Sequence, residues 1–147
     1  MNKKTKNIYG IEKIIHKNKL IALIVRKGFK QDGISFFSPQ DYPLQLGAMT
    51  RPKGYQITPH IHKPVKRFTS CTQEILFIQS GQVRVDFYSS KQAFLKSRKL
   101  AAGDVILFIG AGHGIEFIKK AVIFEVKNGP YIDGADKSKF VVKKRQR

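Results

Sequence analysis

A single cysteine, Cys71, stands in 147 residues, so no disulfide can form within the chain and no cysteine-based zinc cluster can be built. Long apolar runs are missing as well. The longest, Leu20 to Val25, is six residues between Lys19 and Arg26, against the roughly 20 that a membrane-spanning helix needs. The basic start (Lys3, Lys4, Lys6) imitates the front of a signal peptide, but no small-residue cleavage site follows it. The expectation is a cytoplasmic protein with no membrane partner.

Acidic residues are scarce too, 10 against 28 basic, for a net charge of +18. Such an excess invites a nucleic-acid reading, and its distribution argues against one. Residues 1–60 carry 11 basic and 3 acidic groups, 61–120 carry 10 and 4, and 121–147 carry 7 and 3. A binding face shows a cluster or stripe, and lysine outnumbers arginine 21 to 7 although arginine is the residue suited to bidentate phosphate contacts. The tail Lys143 to Arg147 reads as a solvated end.

What is present is a globular composition, 41% apolar and 26% charged, in a chain long enough for one domain and short for two. Helical periodicity is nearly absent, and short strands follow one another. Lys19–Arg26 and Ile34–Phe37 are apolar and rich in β-branched or aromatic residues. Leu44–Leu46 alternates, and the turn Pro52-Lys53-Gly54 precedes a strand at Tyr55–His62. Gln73–Gln79 and Val83–Tyr88 flank Gln79-Ser80-Gly81-Gln82 and read as a hairpin. Phe94–Leu100, Asp104–Ile109, Ile115–Ile118 and Ala121–Lys127 continue the series, with a short helix expected near Gly134–Phe140. Strands at this spacing define an all-β sandwich or barrel. No internal repeat or low-complexity segment interrupts them.

Chemistry concentrates in the histidines. His60 and His62 fall two apart in the expected strand, on one face with Cα atoms roughly 6.5–7 Å apart, so both imidazoles can reach one metal. Two half-exposed histidines on a solvated face is the plainer alternative. Glu74 opens the apolar stretch Ile75–Ile78, where a carboxylate must be paired, metal-bound or at a rim. His113 sits in the glycine-rich turn Gly110-Ala111-Gly112-His113-Gly114.

These residues resemble the cupins, small β-barrels whose first motif reads G-x5-H-x-H, a short spacer, then E-x6-G. Gly54 is followed after five residues by His60-Ile61-His62, and Glu74 after six by Gly81. The second motif, G-x5-P-x-G-x2-H-x3-N, begins at Gly103. The chain departs from the pattern in three places. Eleven residues separate His62 from Glu74, Ile109 stands where proline is usual with His113 one position early, and Glu116 and Phe117 occupy the asparagine's neighbourhood. Pro59 to Arg67, Gly112-His113-Gly114 and Gly129-Pro130-Tyr131 further resemble one little-characterised single-domain cupin family, some of whose members lie among genes for surface polysaccharides.

The resemblance implies an all-β fold, a single cupin (double-stranded β-helix, jelly-roll) barrel with core at about 44–127. Residues 19–50 would add N-terminal strands through which a homodimer forms, and 1–18 and 141–147 would be mobile or peripheral. It also implies that His60, His62, Glu74 and His113 hold one divalent transition metal (Fe, Mn, Ni, Zn or Cu), with two positions open to water or substrate. Around that centre Arg67 and Lys66, with Lys63, are placed to meet an anion or to be solvated. Gln73 and Gln45 would line the barrel or face water. Glu116 is a candidate base or an outer ion-pair partner, and with Arg67 completes the catalytic candidates. Three functions stay open: a metal-dependent isomerase, epimerase or oxygenase on a sugar derivative; a metal-independent sugar-nucleotide isomerase using the histidine pair as acid and base; and a non-catalytic module binding a small metabolite.

Overall fold

The computed structural model describes residues 10–130, 132, 134 and 136–142. It is all-β, and no helix occurs among the described residues. Eight strands run in chain order: β1 (Ile11–His16), β2 (Lys19–Val25), β3 (Gly33–Phe36), β4 (Gly47–Thr50), β5 (Glu74–Tyr88), β6 (Phe94–Ala101), β7 (Val105–Phe108) and β8 (Gly112–Lys127). β3 and β4 form a hairpin of their own. The other six make one antiparallel sheet in the order β1-β2-β7-β5-β6, with β8 on the far edge of β5. That sheet curls into a half-barrel, wrapped around Ile14, Ile24, Leu76, Val85, Phe87 and Ile106.

The curl comes from the length of β5. Its first part, Glu74–Phe77, pairs with β7 on one side, and its second part, Gln82–Tyr88, pairs with β6. β8 follows the other edge of both parts. The expected hairpin at Gln79–Gln82 is therefore replaced by one strand that bends. Inward residues change parity there, from Leu76 and Ile78 to Val83, Val85 and Phe87, and a β-bulge is what restores the buried face after a slip of one residue. The register against β8 shifts between Ile78 and Val83 accordingly. Gly81 makes the bend possible: its φ is +81°, and a Cβ at that position would lie 2.1 Å from the Lys120 carbonyl oxygen. For the same reason the two strands expected at Ile115–Ile118 and Ala121–Lys127 are one, β8.

Other expectations are corrected. Residues 11–16 form β1, the edge strand of the main sheet, which pairs with β2 along its length and buries Ile14 in the core. The strand expected at Leu44–Leu46 lies three residues later, at Gly47–Thr50, since the earlier residues hydrogen-bond into a loop. The strand expected at Tyr55–His62 does not form: residues 51–71 are exposed and carry no strand. The described residues between 134 and 140 form no helix, and Tyr131 and the tail from 143 lie outside the described residues.

An ionic joint closes the end of the sheet where β2 meets β7. Asp104, buried just before β7, accepts from the backbone N–H groups of Lys27 and Ala101 and from Arg26, each at 3.0 Å. Arg26 also pairs with Glu12 of β1, which is shared with Arg98 of β6. Two carboxylates, the buried Asp104 and the half-buried Glu12, thereby tie β6 to the neighbouring strands β1, β2 and β7 at this end of the sheet.

Candidate functional site

At the opposite end of β7 the chain leaves Phe108, passes through Ile109–Ala111 and re-enters the sheet as β8. This short passage brings His113 over Phe108, the rings stacked with centroids 3.9 Å apart and planes 13° from parallel. Glu74, the first residue of β5, lies in register with Phe108. Its carboxylate Oε2 is 3.9 Å from His113 Nε2, and the residue is only 7% exposed. A buried carboxylate at a strand start thus has an imidazole as its neighbour, which answers the question that its apolar surroundings raised.

Burial pushes the His113 pKa below the ordinary imidazole value, and the charge of Lys137 pushes the same way. Glu74, a backbone hydrogen bond at Ala111 and Glu125 act in the opposite sense without overcoming the burial. At neutral pH His113 is a neutral imidazole beside a carboxylate, with a lone pair available to a metal or to a proton. Glu74 and His113 line a cleft of about 620 Å³, the size range of small-metabolite sites. Tyr88, Phe108, Gly112 and residues 136–140 close it. Burial and the nearby Asp86 charge raise the Tyr88 pKa, so its phenol stays protonated.

The remaining sequence candidates are elsewhere. His60 and His62 sit on the exposed arm 51–71, ring against ring at 5.1 Å, with His60 Nδ1 2.9 Å from the Thr58 carbonyl oxygen. No residue of 51–71 lines the cleft. Among the described residues no three His, Cys, Asp or Glu side chains gather as a metal site would require. The donor chemistry of the four suits a transition metal, but as placed they are two pairs, and a four-ligand centre does not fit this arrangement. Lys63, Lys66 and Arg67 are exposed on the same arm.

Gln73 and Gln45 hold loops. Buried Gln73 accepts from Leu44 N–H through its side chain at 3.0 Å, and its backbone N–H donates to Asn128 Oδ1 at 2.7 Å. Gln45 donates to the carbonyls of Pro39 and Tyr42 at 2.8 and 2.7 Å. Glu116 is on the outer surface, 2.7 Å from Arg84, and so faces away from the cleft.

Sequence reasoning missed Tyr88 and the stretch Asp136–Phe140. Tyr88 reads as the end of an ordinary strand, and 136–140 read as part of a short helix with no residue pattern that points to a site. No family model matches the chain, and no curated protein and no solved structure matches it. Fold and cleft together define an all-β half-barrel with one carboxylate–imidazole pair in a solvent-accessible pocket.

Proposed function

We propose that this chain is a cupin-like barrel that binds a small polar metabolite in the cleft over Glu74 and His113. The observation that carries the reading is the pair itself, a buried carboxylate and a neutral imidazole 3.9 Å apart in a cleft of about 620 Å³. Such a pair can orient a hydroxyl or carbonyl group, and a neutral imidazole can exchange a proton with it. A sugar or sugar-nucleotide derivative, as in surface polysaccharide metabolism, fits that chemistry. The test is equilibrium binding of glucose and glucose 1-phosphate to the untagged protein and to Glu74→Gln and His113→Gln. Loss of binding in both variants supports the reading, and unchanged binding in both contradicts it.

A metal-dependent reading is favoured by a separate observation. β8 pairs with β5 along one edge, and no described strand pairs with its other edge. A strand edge with no neighbouring strand is a template on which a further extended segment can pair. The arm, meanwhile, leaves Tyr55, Ile57, Ile61, Val65 and Phe68 exposed. Docking of the arm on that edge would carry His60 and His62 toward Glu74 and His113, and would make Lys66 and Arg67 part of the surroundings. On this reading about one divalent transition metal per chain is found in chelator-free protein, and His60→Ala loses it. Absence of metal, with none taken up on reconstitution, removes this reading and leaves the first. Homodimerisation belongs to the proposal as well. Phe77 and Phe124, stacked at 6.4 Å and exposed, give the sheet an apolar outer face for a second copy, and sedimentation equilibrium tests it.

A further inference from the structure

One wall of the cleft comes from the far end of the described chain. Phe140 stands edge-on to Tyr88, centroids 5.3 Å apart and planes at 83°. It also approaches the backbone of β8, where a Cβ on Gly112 would lie 3.4 Å from the Phe140 ring. This aromatic anchor lays Asp136, Lys137, Ser138 and Lys139 along the cleft that Glu74 and His113 floor. Lys137 and Lys139 are exposed, and among the described residues neither joins an ion pair. Two ammonium groups and a hydroxyl therefore border a pocket whose acidic groups are Asp136 at the wall and Glu74, which is turned toward His113.

We propose that the ligand of this cleft is a small anion bearing a carboxylate or phosphate, held by Lys137, Lys139 and the Ser138 hydroxyl against His113. The inference rests on the cleft being the ligand site and names the chemical class of what enters it. Ammonium groups present rotatable donors to an oxyanion, and no part of that recognition needs the arm. The net charge of +18 adds a long-range attraction that concentrates anions near such an opening. Phe108 and Tyr88 add aromatic lining, so the charged end of the ligand is directed to the lysines.

The experiment is calorimetric titration of the full chain with inorganic phosphate, oxalate and uncharged glucose. The parent is compared with the Lys137→Gln/Lys139→Gln double variant and with His113→Gln. Glutamine keeps most of the stem length while removing the charge. The expected result is binding of phosphate or oxalate by the parent and at least about tenfold weaker binding by the double variant, roughly 1.4 kcal/mol. Which of the two probes binds more tightly separates a phosphate ligand from a carboxylate one. Equal anion binding by parent and double variant, with loss in His113→Gln, overturns the inference and keeps the cleft as the site. Glucose binding that depends on His113, without binding of either anion, does the same. Anion binding unchanged in all variants is attraction to the basic surface at large, and overturns both. No binding of any probe at about 10 mM overturns both as well.

Discussion

Asp104→Ala removes the acceptor at the centre of the ionic joint, and its cost follows from three contacts. The carboxylate receives Lys27 N–H, Ala101 N–H and Arg26 Nη1, each at 3.0 Å, and the residue is 6% exposed. Losing it leaves two backbone donors without their partner, at about 1–3 kcal/mol each. The Arg26 contribution is smaller, at most about 1 kcal/mol, because Arg26 is about a third exposed and keeps Glu12 and the Lys99 carbonyl. The sum is about 4 kcal/mol. For a chain of this size each kcal/mol lowers Tm by about 2–4 °C, so a drop of roughly 8–16 °C is expected in thermal unfolding followed by circular dichroism. Asp104→Asn retains one acceptor and falls about half as far. A drop under about 3 °C for Asp104→Ala refutes the claim that this carboxylate joins β2, β7 and the sheet's end.

Three further outcomes follow from the same geometry. Ile14→Ala costs about 2–5 kcal/mol in urea unfolding, since Ile14 is fully buried; a cost near zero would contradict the packing of β1 on the core. Gly81→Ala places a Cβ against the Lys120 carbonyl at a positive φ and destabilises by at least about 2 kcal/mol, whereas Gly54→Ala, with open space around it, costs no more than the strain of its own φ; equal effects contradict the bulge. The third concerns pH. Because the folded His113 pKa lies below its unfolded value near 6.5, the unfolded chain binds the extra proton first, so stability falls as pH drops below about 6.5. His113→Gln flattens that slope in denaturant midpoints measured from pH 5 to 8, and an unchanged slope contradicts a half-buried neutral imidazole.

Strand existence was legible because alternation and β-branched residues carry it. Lys19–Val25, Phe94–Ala101 and Val105–Phe108 stand within a residue or two of their expected places. The bend in β5 was not legible, because Ser80-Gly81 at a parity change suits both a hairpin turn and a bulge, and only pairing with β8 decides between them. At the site, Glu74 was singled out by its apolar neighbours and His113 by its glycines, and these two do meet. His60 and His62 were grouped with them on motif spacing. The eleven residues between His62 and Glu74 leave the arm free of the sheet here, so spacing alone did not place them. Lys137 and Lys139 reach the cleft through one aromatic contact, Phe140 on Tyr88, which no local pattern announces.

The most direct test of the central claim is a crystal soaked with a set of small sugars, sugar phosphates and carboxylates, with the binding positions read from electron density. Bound molecules within hydrogen-bond distance of His113 or Glu74, between them and residues 137–139, are the predicted result. Ligands gathered at any other surface, with the cleft holding water alone, would contradict it.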